Sequence, residues 1–443
     1  MKRIAGLLMI IVFVSSCKQK SNHAAIEQFC KNQLPEWNKK LTYVIITDIF
    51  TPPVCSRIYA YTNIAAYEAL LPENPGYKSY AGKLTDLTTL PKPDKNKEYC
   101  YPISSIIAFT TVGQKLVFNG DAMKEREKEY LQQLDSIGIS KELLDSSVSY
   151  GRAVGQHILA WAGKDGYLQR TSYGGYIVSR QPGRWIPTPP DYMDAVENNW
   201  GRVRPLVMDS TSQFRPAPPI PYDTTPGSAF YKEVYQVYDA IVKPNAGDSA
   251  TAWYWDDNPN TSITDGHITY FLQKNSPPGH WVHIACSVAE KENYNAMKTA
   301  SLVSKTAIAL FDAFISCWEA KYYYNYGRPE TFINTKNFIN SYIDKDWQPL
   351  IQTPPFPEYP GGHSTASASA AEVLTTVVGD NYSFLDSAEV PYGRSMRKFN
   401  SFYDAADQAS ISRLYGGIHF LNALNTGRDM GKAIGKLVTT KLK

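Results

Sequence analysis

The sequence predicts an all-α protein, a helical bundle interrupted by one Pro-rich extended insertion. Three observations carry that expectation. Long stretches place apolar residues at three- and four-residue steps, the spacing that gathers them on one face of a helix. Strand signals are weak along the whole chain. Between Arg180 and Pro226 ten prolines occur, a density through which neither a helix nor a central strand persists. No fixed-period repeat is visible.

Size and charge bound the function. A chain of 443 residues suggests two or three domains, or one large helical one. Hydrophobic residues make up 43%, enough for a sizeable core, and the formal net charge is only +3. Nucleic-acid binding requires a concentrated basic face, so that class is excluded and any basic site is local.

Taken in order, residues 1–17 read as a leader outside the fold. Lys2 and Arg3 precede an apolar run from Ile4 to Val14, too short to span a bilayer and the right length for the core of a signal peptide. Val14-Ser15-Ser16-Cys17 resembles a bacterial lipobox. The resemblance implies cleavage before Cys17, lipidation of the new N-terminus there and an exported lipoprotein held in the cell envelope by its lipid anchor only. Cys30, Cys55, Cys100, Cys286 and Cys317 remain, with no C-x-x-C pair. An exported chain can form disulfides, but an odd count leaves one thiol unpaired within the chain.

Residues 18–180 form an N-terminal helical half. The segments starting at Ser56, Ile103 and Ser146 carry the helical period, Lys124-EREKE reads as a solvated helix face, and Lys92 to Glu98 as a polar loop. Residues 181–260 form the Pro/Trp-rich segment, with helical patterning resuming around Ser228 to Val242. Disordered linkers seldom carry rings such as Trp185, Trp200 and Phe214, so this segment reads as ordered chain wrapping the helical body. Residues 261–443 form a C-terminal bundle. Its stretch from Thr299 to Trp318 is apolar nearly all round, as a central helix requires, and runs directly into Lys321.

Three segments of this C-terminal part concentrate chemistry: Lys321 to Pro329 (KYYYNYGRP), Pro354 to Ser364 (PPFPEYPGGHS) and Ser412 to His419 (SRLYGGIH). Together they hold three cations and two histidines. The seven-residue step from Lys321 to Arg328 is two helical turns, about 10 Å along one face, while Gly327 and Pro329 mark a terminus from which a guanidinium can fork onto two oxygens. Gly361 and Gly362 leave amide groups uncovered at the start of a helix, an anion nest beside His363. A histidine so placed is a natural proton donor to a leaving oxygen. Gly416 and Gly417 break the next helix, which lets Arg413 and His419 converge. Each segment alone also has a structural reading, as solvent-facing charges, a capped turn or a core histidine.

In this order and spacing the three segments resemble the signature of the phosphatidic acid phosphatase type 2 and vanadium haloperoxidase superfamily, K-x6-RP, P-S-G-H and S-R-x5-H. PPFPEYPGGH, Trp255-Asp256-Asp257 and PPGHW at Pro277 to Trp281 look more like the haloperoxidase branch. The resemblance implies a helical-bundle haloperoxidase/acid-phosphatase-like fold and a vanadate cofactor, with hydrogen peroxide and halide as substrates. It also implies roles for residues. Lys321, Arg328, Gly362 and Arg413 would bind the oxyanion, with Lys321 polarising bound peroxide. His419 would coordinate vanadium, His363 would be the acid–base group with Asp257 as its carboxylate partner, and Phe356 would wall the pocket.

Two positions depart from the pattern. Gly361 stands where the superfamily has serine, and Ala423 where it has the aspartate that orients the last histidine, a place open to Asn422 or Asn425. The alternatives are therefore an acid phosphatase acting on a phosphate ester through a phosphohistidine at His419, or a decayed lipoprotein that only binds oxyanions. The H-x-x-H pair His280 and His283 has no third ligand nearby and reads as packing. H-E-x-x-H, G-x-S-x-G, Walker A and EF-hand patterns are absent.

Overall fold

The computed structural model describes residues 21–334 and 343–443, so Cys17 and the leader lie outside the described residues. The described chain is mostly helical. Its N-terminal part holds α1 (His23–Cys30), α2 (Gln33–Thr47), α3 (Pro52–Leu70), α4 (Tyr101–Leu116), α5 (Gly120–Ser136) and α6 (Lys141–Ala162). After a long irregular stretch come α7 (Ala229–Val242), α8 (Asp248–Tyr254), α9 (Pro277–Lys291), α10 (Ala296–Tyr324) and α11 (Pro329–Ile333). The chain ends in α12 (Gly362–Val378), α13 (Phe402–Tyr415) and α14 (Leu421–Lys441). Two small antiparallel hairpins escaped the sequence reading: β1 (Ser262–Asp265) with β2 (Ile268–Phe271), and β3 (Phe384–Asp386) with β4 (Arg397–Phe399). Strands of three or four residues leave too little alternation to detect.

The helix starts follow local chemistry. Ser140, Ser276, Asn295 and Ser401 each cap a helix by accepting a first-turn amide, and Pro52, Pro277 and Pro329 occupy first positions where no donor is lost. α10 is the organising helix. Among the described residues it alone is long and apolar enough to cross a bilayer, yet 94% of its most apolar window is buried in protein, so it is a core helix. It packs against α3 on one side and α12 on another, and one apolar core runs from Ile26 to Leu442. The two helical halves therefore share a core.

The irregular segment is ordered, as its rings suggested, but it both begins and ends earlier than 181–260: α6 stops at Ala162, short of the expected 18–180 helical half, and α7 and α8 lie inside 181–260. Trp185 and Trp200 are fully buried. Asp312, inside α10, accepts the amides of Leu206, Val207 and Met208 at 2.7, 2.8 and 3.2 Å, which pins this chain across the central helix. Farther along, Gly327 N–H donates to the Gly183 carbonyl at 2.9 Å and Trp185 N–H to that of Asn325 at 3.1 Å. The segment thus clamps the turn that delivers Arg328.

α14 lies unusually close to α12. A Cβ on Gly427, Gly431 or Gly435 would fall 2.7, 2.3 or 2.6 Å from atoms of the α12 strip. Only hydrogen at these four-residue steps permits the approach, which brings the start of α14 against the start of α12. All five described cysteines are free thiols.

Candidate active site

The three sequence segments meet at one buried place between the ends of α10, α12 and α13. α10 does not carry both of its cations on one face. It ends at Tyr324, Asn325 takes a left-handed conformation (φ 52°), and Arg328 is extended (φ −85°, ψ 153°) at the cap of α11. The two-turn reading of the Lys321–Arg328 spacing is therefore corrected: Pro329 and the clamped Gly327 turn the chain before a second helical turn forms.

The cations divide into two kinds. Lys321 Nζ donates to the carbonyls of Pro357, Glu358 and Pro360 at 3.0, 2.8 and 2.6 Å, which accounts for its three protons. Burial lowers its pKa to about 8. Lys321 is thus the buckle of the Pro357–Pro360 loop, a role the spacing did not suggest. The arginines keep hydrogens open. Arg328 spends Nε on the Phe356 carbonyl and Nη1 on the Ile418 carbonyl, leaving Nη2 buried without a partner. Arg413 spends Nη2 on the carbonyls of Ala252 and Trp255 and Nε on Ser412, leaving Nη1 buried without a partner.

His419 follows the positive-φ turn at Gly417 (φ 79°). Its Nδ1 lies 2.7 Å from Glu358 Oε1, which also accepts the Phe420 amide at 3.0 Å. A carboxylate on Nδ1 fixes the proton there and leaves a lone pair on Nε2, toward which Arg328 Nη1 donates at 3.1 Å. Burial, then Arg328, Lys321 and Arg413, hold this ring well below the usual histidine range, so it is neutral. Glu358 is the orienting carboxylate that position 423, an alanine, does not supply. Asn422 and Asn425 do not take that place: His419 Nδ1 is held by Glu358, and the Asn425 side chain accepts from Arg428. The available signal was a lone acid inside PPFPEYPGGH, in a proline-rich loop that had to face inward.

His363 is the second residue of α12 and bonds the Trp255 backbone, while its Nε2 is shielded from solvent and unpartnered. Burial, then Arg413, His280 and Lys321, keep it neutral as well. Its expected partnership with Asp257 is not found. Asp257 Oδ2 lies 3.0 Å from His280 Nδ1, and Oδ1 is buried without a partner. His280, not His363, holds the carboxylate.

That finding also corrects the bland reading of His280. The ring sits on α9, fully buried, with Asp386 Oδ2 2.6 Å from Nε2 and Glu389 Oε1 3.4 Å from Nδ1. Burial opposes its charge, but Asp386 and Asp257 outweigh burial and hold His280 well above the usual range, as an imidazolium. Nothing local marked it, because its three carboxylates come from distant parts of the chain. His283, one turn on, bonds Ser387 at 3.0 Å.

A cavity of about 20 Å³ lies among these groups, lined by Asp257, Asn258, Phe314, Trp318, Phe356, Gly362, His363 and His419 together with prolines 52, 277 and 354. Phe356 walls it, with Arg328 Cζ and Lys321 Nζ 5.0 and 5.4 Å from the ring centre. A Cβ on Gly362 would meet nothing nearer than 3.6 Å, so this glycine keeps room instead of relieving a clash. At Gly361 a Cβ would lie 3.0 Å from Ser364 Oγ, 3.2 Å from Leu424 and 3.3 Å from the Ala423 carbonyl. Gly361 N–H also donates to that carbonyl at 3.0 Å. The two departures from the superfamily pattern thus touch each other. Gly362, His363 and His419 line the cavity, and the buried Arg328 Nη2 and Arg413 Nη1 beside those histidines have no partner; such donors fit a tetrahedral oxyanion, since each is costly until something accepts from it.

Comparison with known proteins agrees. Residues 301–443 match the family model for the VCPO second helical-bundle domain. The crystal structure of the first bacterial vanadium-dependent iodoperoxidase is 41% identical, covers 93% of this chain and 96% of its own, and superposes with a TM-score of 0.86. The chain belongs to the vanadium-dependent haloperoxidase family. Holo-type and apo-type bacterial vanadium-dependent chloroperoxidases share the fold, at 18% and 17% identity and TM-scores of 0.65 and 0.64. They cover 89% of this chain and 92% and 95% of their own. No curated protein matches.

Proposed function

We propose that this haloperoxidase-family protein binds vanadate at His419 Nε2 and oxidises halide with hydrogen peroxide, iodide being the halide favoured by its iodoperoxidase relative. The observation that carries the reading is the Glu358–His419–Arg328 line, which presents a neutral, oriented Nε2 beside unpartnered cationic hydrogens. Bound vanadate supplies the Lewis-acidic centre that activates peroxide toward halide. The chain's own residues do the rest. Arg328 Nη2, Arg413 Nη1 and the amides of Gly362 and His363 hold the oxyanion's oxygens against the positive end of α12. Lys321 fixes the loop that places Glu358 and adds positive charge. His363 Nε2, open to the cavity, takes and returns a proton; an anion in the cavity offsets Arg413 and Lys321 and so raises this ring toward a useful range. Phe356, Trp318 and the prolines exclude bulk water.

The deciding experiment is an iodide and bromide oxidation assay alongside p-nitrophenyl phosphate hydrolysis, each with and without vanadate. Vanadate is expected to switch on halide oxidation. Phosphate ester turnover that vanadate inhibits would favour the phosphatase reading, and tight vanadate binding without turnover the decayed one. The motif around Cys17 supports an exported lipoprotein tethered in the cell envelope. Detergent phase partition of the full chain is expected to follow the wild type and not Cys17→Ala.

A further inference from the structure

Oxidation of halide by peroxide consumes one proton for each hypohalous acid and water formed. The site where this occurs is closed: Lys321 and Arg328 are 0% exposed and His419 is 2% exposed. We propose that Glu389, His280 and Asp257 form a proton-delivery chain from a surface cleft to the halide-oxidation cavity, an inference that rests on the haloperoxidase reading.

The geometry is continuous. Asp257 lines the cavity with His363 and His419, and Oδ1 is buried without a partner while Oδ2 meets His280 Nδ1 at 3.0 Å. Glu389 Oε1 stands 3.4 Å from the same Nδ1 and accepts from Asn275 Nδ2 at 3.0 Å. Asn275 in turn lines a cleft of about 350 Å³, shared with Lys39, Thr42, His283 and Tyr392. Ala388 and Val390, on either side of Glu389, line the same cleft, so Glu389, His280 and Asp257 lead from the cleft wall to the cavity.

The charges suit the direction. The groups facing His280 are Asp257 beyond α8, Asp386 of β3 and Glu389 after it, with the Tyr254 hydroxyl on Asp386 at 2.9 Å and Arg397 stacked over Tyr254. Glu389 faces Asp257, His280, Asp386 and Tyr392; burial, then Asp257, raises it to about 8, so it carries a transferable proton at neutral pH. In each cycle the Nδ1–H bond of His280 breaks as an O–H bond forms on Asp257, which passes that proton into the cavity. The Glu389 acid proton then restores Nδ1–H, and solvent at the 7% of Glu389 that stays exposed, between the cleft-lining Ala388 and Val390, reprotonates it. His280 Nε2–H stays on Asp386, and no electrons are exchanged.

Glu389→Gln keeps the shape and the Asn275 bond and removes the transferable proton. With wild type shown to oxidise iodide once loaded, the variant is expected to lose kcat about 10- to 100-fold. Its solvent isotope effect should rise, with the KM for iodide and calorimetric vanadate affinity unchanged. In vanadate-free protein the ¹⁵N titration of the His280 ring should also move. Wild-type kcat and isotope effect in a folded Glu389→Gln would overturn the chain. So would one equivalent of a divalent cation in the purified protein, since Asp257, His280 and Glu389 offer ligand atoms within 4.8 Å of one another. If Glu389→Gln does not fold, Asp386→Asn is read instead: the pH limb of kcat should shift downward, and an unmoved limb overturns the proposal. A wild type with no turnover sinks the haloperoxidase reading itself, and this inference with it.

Discussion

His419 and His280 are both buried, and burial alone would strip the charge from either ring. Their neighbours decide otherwise. Around His419 stand Arg328, Lys321 and Arg413, so electrostatics reinforce burial and the imidazole is neutral, its Nε2 lone pair turned toward Arg328. Around His280 stand Asp386 and Asp257, so electrostatics overcome burial and the ring keeps its proton. One chain with a formal charge of +3 thus builds two buried histidine sites of opposite sign, about which the net figure says nothing.

The contrast can be broken from its cationic side first. Arg413→Ala removes an unpartnered donor and is expected to lower kcat/KM for iodide by about 10² to 10³; calorimetry with vanadate and with phosphate should weaken in parallel. A smaller loss is expected for Glu358→Gln. Freed from its anionic partner, His419 loses its fixed tautomer, and vanadate affinity should fall about 10- to 100-fold, read by titration of the vanadate-free protein. An unchanged affinity would mean that Glu358 orients nothing.

The acidic side is tested by pH. Glu358 is raised to about 7 and Glu389 to about 8, both mainly by burial, and His280 is raised by its carboxylates. Between pH 6 and 8 the folded vanadate-free protein therefore binds more protons than the unfolded chain. Its Tm should fall across that window, a fall that Glu389→Gln makes shallower. His363 and His419 are depressed, so below about pH 7 the unfolded chain takes up protons there that the folded chain does not; they oppose the fall at the acidic edge of the window and leave it undisturbed between pH 7 and 8. The smallest effect is expected at Gly361→Ser. The side chain the superfamily carries there would crowd Ser364 and Leu424, costing about 1 to 3 kcal/mol. Thermal melts should show that loss without a gain in phosphate affinity.

Much of the fold was legible. The apolar period around Thr299 to Trp318, the caps and prolines at helix starts, and the rings between Arg180 and Pro226 each express local chemistry that survives folding. The extent of the irregular segment and the two hairpins were not, since three-residue strands and short helices leave weak periods. Within the site, Arg328, Gly362, His363, Arg413, His419 and Phe356 gather where their motifs suggested. Glu358 and His280 were passed over because their partners lie 61 and 106 residues away in sequence, and no spacing rule joins them. Asp257 was assigned to His363 by likeness, and the fold gave it to His280.

The sequence by itself determined which cations and histidines the three segments hold, which helices carry them and where those helices stop, because periodicity, glycine and proline act over a few residues. The tertiary structure alone decided protonation and orientation: which imidazole is neutral, which is charged, and which guanidinium hydrogens stay open. Those properties depend on the sign and distance of groups brought together from remote parts of the chain at low dielectric, and only packing sets them.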